Sequence, residues 1–196
     1  MNRSDVTELH YITAIANVPS MLQRGILSHT LAAKLDHNSV AMPEIQERRE
    51  NKRIPGARML HEYANLYFDA HNPMLCKRQQ LNNDICVLRV APEVLDLEGV
   101  IVADRNASSD WVRFWSVVQG LAHISRERVF AKYWTHPDDP YEQMRHKSEK
   151  CAEVLVPDKV EPQLVVGAYV ANQTALSAFQ ALNTGLPVQI NSNIFF

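Results

Sequence analysis

Two stretches, Ile45-Gln46-Glu47-Arg48-Arg49 and Ala152-Glu153-Val154-Leu155-Val156, decide how this chain is read. The second places one carboxylate at the mouth of a short apolar run, the pattern of a buried strand. A strand is a rigid carrier, and a group that must meet a ligand in fixed geometry needs one. The first stretch is polar, and its arginines can hold a phosphate-rich ligand.

Working outward, residues 9–15 alternate in strand fashion. Asn17 then caps a short helix with Pro19 in its first turn, Met21 and Leu22 on its buried side, and Gly25 at its end. Residues 28–56 are mixed in pattern and are expected to form a long ordered loop with at most one helical turn; a loop of that length in a compact domain is usually functional. Residues 64–68 predict a strand, and Asn72-Pro73 the start of a helix reaching about residue 80. Strands are expected at 85–90 and 100–103. Trp111, Phe114, Trp115 and Val118 fall at i, i+3, i+4 and i+7, the spacing of one helix face, capped by Ser108 or Ser109. A break at 137–140 precedes a basic helix at 141–150; strands at 153–156 and 164–170 and a helix at 174–182 follow. Strands scattered among short helices predict an α+β fold, and the absence of repeats or linkers predicts one domain over residues 1–196.

With 46% hydrophobic and 21% charged residues, the chain can bury a core and is not a disordered tail. No apolar run approaches the ~20 residues that span a bilayer, and the first residues lack the apolar stretch of a signal peptide. Three cysteines without metal-ligand spacing suit a reducing cytoplasm, and the eight histidines contain no His-x-x-x-His pair, so no metal site and no membrane association are expected. A net charge of −2 argues against an extended basic surface. The positive charge is clustered, however: Arg48, Arg49, Lys52, Arg53; Arg126, Arg128, Lys132; and Arg145, His146, Lys147, Lys150. One such cluster is a solvated face; three flanking the key stretches point to a polyanion site.

His10-Tyr11-Ile12-Thr13 and the block from Asn65-Leu66-Tyr67 to Pro73-Met74-Leu75 complete a series. Taken in order from about His10 to Val156, the four blocks resemble the DarT family, toxins that transfer ADP-ribose from NAD+ to bases of single-stranded DNA. The resemblance implies the ADP-ribosyltransferase fold, two small packed sheets around an NAD cleft with peripheral helices. It also implies NAD+ as co-substrate, thymine or guanine in single-stranded DNA as acceptor, and a macrodomain-containing antitoxin as partner. Glu153 falls at the family's catalytic position, where a carboxylate beside the ribose stabilises an oxocarbenium-like state. Arg48 falls at its essential arginine, and Arg49 is expected in a solvated turn. Tyr11, Ile12 and Thr13 correspond to the strand that cradles nicotinamide and its ribose; Tyr11 stands where the family commonly has histidine, which leaves His10 a neighbour. Ser20 and Ser28 fall where the family touches NAD+, and residues 34–51 would fold over the dinucleotide. Met74 and His71 match the DNA-facing block, while Asn106, Lys132, Tyr133 and Trp134 lie in the segment before Glu153 that selects the acceptor.

Two other functions share these residues. A transferase of the same fold can act on protein or RNA, since fold does not fix the acceptor. A catalytically inactive nucleic-acid-binding module would keep the basic clusters but has no use for both Arg48 and Glu153.

Overall fold

Alternating apolar residues and the turn chemistry between them resolve into short elements. The computed structural model describes residues Met1–Phe196. The chain runs through β1 (Leu9–Ala14), α1 (Val18–Arg24), β2 (Ile26–Leu27), α2 (His29–Ala32), α3 (Pro43–Glu50), β3 (Tyr63–Tyr67), α4 (Pro73–Cys76), β4 (Ile85–Val90) and β5 (Ile101–Ala103). It continues through β6 (Phe114–Ser116), α5 (Val117–His123), α6 (Arg126–Val129), α7 (Pro140–Glu149), β7 (Glu153–Pro157), β8 (Lys159–Val160), β9 (Val165–Val170), α8 (Gln173–Gln180) and β10 (Val188–Ile190). No helix is long and apolar enough to cross a membrane.

Eight strands form one sheet in the order β10-β9-β4-β1-β3-β7-β5-β6, and β2 pairs β8 separately. Only the β9–β10 pair is parallel. The join between β1 and β3 positions everything else. β1 pairs β4 along its whole length, from Leu9↔Val90 to Ala14↔Ile85, but meets β3 only at His10↔Tyr67. Beyond that pair the strands diverge, so the sheet opens into two four-stranded halves, as expected for two small sheets around a cleft.

The halves are held by packing on both faces. Leu9, Leu66, Leu88, Val154, Val156 and Phe179 lie in the main core cluster on one face. On the other, Ile12, Tyr67, Leu75, Val87 and Tyr169 form a second cluster, and Ile54, Leu60, Tyr63, Ala103 and Leu155 a third. β7 is buried on both faces, which explains why Val154-Leu155-Val156 reads as an unbroken apolar run. Because side chains two apart in a strand share a face, Glu153 lies on the side of Leu155, not of Val154. At the end of α1, Gly25 takes φ +90, and a Cβ there would sit 2.2 Å from the Val160 carbonyl oxygen. Glycine alone permits that close approach between α1 and β8.

Three expectations change. Residues 28–56 hold two helices, of which α3 has eight residues and starts with Pro43, whose fixed φ and missing N–H suit a first turn. The aromatic set at 111–118 is no helix face: Phe114–Ser116 is an edge strand on β5, and the helix starts at Val117. Trp111 and Val118 are both exposed. β-Branched and aromatic residues over so short a run satisfy either period, and pairing with Ile101–Ala103 decides it. The helix begun at Pro73 stops at Cys76, capped at its start by the Asn72 side chain, which accepts from Met74 and Leu75 N–H; a 3-10 turn at Gln79–Leu81 follows.

Candidate active site

Glu153 opens β7 opposite Tyr67 of β3 and Ala103 of β5, in the row of the His10↔Tyr67 pair beyond which the two halves part. Its side chain has no exposed surface. Burying a carboxylate without partners would be prohibitive, and three hydrogen bonds compensate. The Ala107 N–H donates to Oε1 at 2.9 Å, and Arg49 Nη1 donates to Oε1 at 3.2 Å and to Oε2 at 3.0 Å. Oε2 therefore accepts from one group only and keeps acceptor capacity.

Arg49 reaches this carboxylate from the last turn of α3, with its own side chain 6% exposed. The expectation of a solvated turn for Arg49 is corrected: it is buried and ion-paired. Arg48, its neighbour, is exposed, makes no ion pair and faces the adjoining cavity. Successive residues on a helix point about 100° apart, so only one of two adjacent arginines can turn inward. Burial, with the Glu153 carboxylate nearby, pushes the Tyr67 hydroxyl well above its ordinary pKa, so it remains a neutral phenol. Burial likewise pushes the Cys151 thiol up to about 12, which excludes a thiolate nucleophile at neutral pH.

The cavity has a volume of about 900 Å³ and occupies the opening between β1 and β3. At one end, Tyr11, Ile12 and Thr13 of β1 face α2, α3 and the segment between them. That segment is strapped down at both sides. Asn17 donates from Nδ2 to the Asn38 carbonyl (2.8 Å) and to Thr13 Oγ1 (3.2 Å), and accepts from the Asn38 N–H (3.0 Å). Arg78 donates to the carbonyls of Val40 (2.8 Å) and Ala41 (3.0 Å). The His29 and His61 rings lie 4.1 Å apart along this wall. Burial, the neighbouring His29 and Arg49 together lower the pKa of His61 to about 4, so it is neutral at physiological pH. His61 Nε2, Gln46 Oε1 and Ser28 Oγ are buried without a hydrogen-bond partner. Native interiors rarely leave such atoms unpaired, and the two on the cavity wall, those of His61 and Gln46, mark a place for a polar ligand.

At the other end, the cavity is bordered by Met74 and Lys77 after β3, by residues 105–113 between β5 and β6, and by α7. Of the residues singled out from sequence, Tyr11, Ile12, Thr13, Ser20, Arg48, Met74 and Asn106 line the cavity. Ser28 is buried behind the wall between Leu27 and His29. Asn106 is tied to its own loop, its Oδ1 accepting from the Ser108 N–H (2.9 Å) and Oγ (2.7 Å). His71, Lys132, Tyr133 and Trp134 lie elsewhere. The His71 ring contacts the carbonyls of Ile194 (3.0 Å) and Lys132 (3.1 Å) and stacks on Phe196 at 4.2 Å, with Trp134 edge-on at 5.9 Å. Lys150 is fully buried, with its ammonium on Asp69 and the Val129 carbonyl, and Arg128 pairs with Glu142 and Glu149. These members of the basic clusters are therefore structural.

Comparison with known proteins now decides the family: residues 10–196 match the family described as ssDNA thymidine ADP-ribosyltransferase, DarT. The chain belongs to the DarT family. A DNA ADP-ribosyl transferase–DNA ADP-ribosyl glycohydrolase fusion protein from Thermosipho africanus is 30% identical over 201 residues, covering 96% of this chain and 49% of the fusion. The chain thus spans about half the length of that relative. A DNA ADP-ribosyl transferase from Thermus sp. (strain 2.9) is 28% identical, covering 76% of this chain and 74% of its own. Among solved structures, Thermosipho africanus DarTG in complex with ADP-ribose superposes with a TM-score of 0.82 at 28% identity, over 97% of this chain and 51% of that one. Thermus sp. 2.9 DarT in complex with ADP-ribosylated ssDNA gives a TM-score of 0.82 at 23% identity, over 98% and 97% of the two chains. The DarT fold is therefore shared from end to end of this chain, and with it the split sheet that opens the cavity.

Arg49, His29, His61, Trp111 and Tyr141 are the site residues that sequence reasoning passed over. For Arg49 a signal existed: Ile45, the one apolar residue of α3, lies four positions before it and marks the inward face.

Proposed function

We propose that this chain is an NAD-dependent DNA ADP-ribosyltransferase acting on single-stranded DNA as one catalytic unit. The observation that carries the proposal is Glu153, buried directly behind Arg49 in the wall of a cavity with a strapped, polar end and a basic, aromatic end. Two substrates of different chemistry can meet beside one carboxylate in such an arrangement.

The strapped end fits NAD+. The whole cavity, at about 900 Å³, is within the range of small-molecule sites. Arg48 offers an uncommitted guanidinium to the pyrophosphate, and the unpartnered atoms of Gln46 and His61 offer hydrogen bonds to the nucleosides. In the reaction, the bond between ribose C1′ and the nicotinamide nitrogen breaks, and its electron pair leaves with neutral nicotinamide. Positive charge develops on the ribose as a bond forms from C1′ to a nitrogen of the base, which loses its proton. Glu153 supplies fixed negative charge for that moment. Its Oε2, buried behind Arg49, takes a ribose hydroxyl when the hydroxyl displaces that guanidinium. The base's proton passes to water, since an arginine keeps its own and neither arginine can take it.

The DNA ADP-ribosyl transferases among the relatives support DNA as acceptor, and the family description favours thymine over guanine. The fusion of transferase and glycohydrolase in the Thermosipho relative supports a toxin reversed by a macrodomain-containing antitoxin, within a bacterial cytoplasm. The deciding experiment incubates the chain with labelled NAD+ and, separately, single-stranded DNA, RNA and protein. Label is expected on the DNA. Label confined to RNA or protein, or absent altogether, refutes the proposal.

A further inference from the structure

We propose that Trp111 and Tyr141 form an aromatic clamp at the mouth of the cavity, stacking bases that flank the modified one. The inference rests on single-stranded DNA being the acceptor. Trp111 is 80% exposed and Tyr141 82%, and Met144, one turn along α7, is 66% exposed. All three border the same cavity. Large apolar side chains exposed together beside a binding cavity mark an interaction surface.

The two segments that carry the rings are fixed to each other while the rings project. The Asn106 N–H donates to the Ser148 carbonyl at 2.9 Å. The Arg113 N–H donates to Asp104 Oδ1 at 3.0 Å, which closes the loop bearing Trp111. A pair of flat rings on rigid supports loses little conformational freedom when a ligand arrives.

Charge identifies the occupant. Lys77, Arg113, Arg145 and Lys147 border this end of the cavity, and Asp110 is the one carboxylate among its lining residues there. Cations interleaved with exposed aromatics suit a phosphate backbone with unstacked bases. An acidic protein segment would use the cations and leave the rings without partners, and a duplex keeps its base faces stacked. The rings that sequence reasoning chose do not compete for this role, because Trp134 is packed against His71 and Phe196, and Tyr133, though exposed, does not border the cavity.

The test measures binding of a short thymine-containing single strand by fluorescence anisotropy, with the full chain and without NAD+. Trp111→Ala and Tyr141→Ala are each expected to weaken binding on the order of tenfold, while Trp111→Phe keeps most of the affinity. The slope of log K against log salt should stay as in the wild type in the ring variants and fall by about one in Lys147→Ala. Val118→Ala, at an exposed position outside the cavity, should bind as the wild type does. Ring variants of undiminished affinity, or a Phe variant no better than Ala, overturn the clamp; so does equal or tighter binding of RNA of the same sequence. Failure of the underlying function looks different. A chain that binds DNA through both rings yet transfers nothing to it refutes the transferase and keeps the clamp. Transfer that persists with ring-independent affinity does the reverse.

Discussion

Removing the Arg49 side chain should cost far more stability than removing that of Arg48, although the two are adjacent. Arg49 and Glu153 have side chains 6% and 0% exposed, and Nη1 lies 3.0 and 3.2 Å from the two carboxylate oxygens. Two unit charges at such a distance interact by roughly 5 kcal/mol at an effective dielectric constant of about 20. Breaking a buried pair by deleting one partner typically costs about 3–5 kcal/mol, because the other charge stays behind. The low end applies to Arg49→Ala. Oε1 keeps the Ala107 N–H, and the space vacated opens to the cavity, where water can approach the carboxylate. At roughly 2–4 °C per kcal/mol for a domain of this size, a loss of about 3 kcal/mol lowers Tm by roughly 6–12 °C. Arg48→Ala, at an exposed position without an ion pair, should remain within about 0.5 kcal/mol of the wild type. Urea denaturation followed by tryptophan fluorescence measures both. Repeating Arg49→Ala in a Glu153→Gln background closes a double-mutant cycle, and the coupling should exceed about 0.5 kcal/mol. Equal costs for the two arginines, or coupling below that level, would refute the pairing and the division of labour drawn from it.

Glu153→Gln preserves shape and most hydrogen bonding but not charge, so transfer should fall at least about tenfold, an effect of ~1.4 kcal/mol on the barrier, while NAD+ binding measured by calorimetry persists. A rate within that factor of the wild type removes Glu153 from the chemistry. His61 gives a pH dependence: with its folded pKa at about 4 against an ordinary 6.5, only the unfolded chain takes up this proton between those values. Its contribution is therefore complete above pH 6.5 and lost as pH falls toward 4, and His61→Gln should flatten that part of a Tm-against-pH curve; an unchanged curve contradicts the burial argument. Asn17→Ala removes two hydrogen bonds to the strap at Asn38 and one to Thr13 of β1, so KM for NAD+ should rise severalfold with kcat less affected. A fall in kcat alone would show that the strap serves the chemical step instead.

The strands were legible where most positions are buried. β1, β3, β4, β7 and β9 were each placed within one or two residues, and β7 carried Glu153 with it. β2, β8 and β10 have two or three residues, too few for any period to register. The strap region failed for a different reason. In α3 the buried position belongs to Arg49 and the only apolar residue is Ile45, so no hydrophobic stripe exists to announce a helix. What remained visible was Pro43 at a helix start followed by good helix formers, a weaker signal. The same absence hid the choice between Arg48 and Arg49. Motif order ranks the first arginine, whereas helix phase turns the second inward.

Acceptor recognition was hardest to locate because exposure leaves no mark on a single sequence. Trp111 was counted into a helical face, and its exposure follows from β6 and α5 dividing that stretch between them. Net charge was no guide to the place either, since −2 argues only against an extended basic surface. The structure segregates the charge. Of the seven Lys and Arg that line the cavity, Arg48, Lys77, Arg113 and Lys147 are free of ion pairs, while Arg49, Arg105 and Arg145 pair with Glu153, Asp104 and Glu149; 13 cationic and 20 anionic side chains lie outside the lining. A phosphate backbone is therefore repelled over most of the surface and attracted at the cavity mouth. With a screening length of about 8 Å at physiological ionic strength, both effects act only near contact. Such a surface disfavours non-specific wrapping and favours a short strand entering one groove, which is the form of substrate a base-modifying cleft requires.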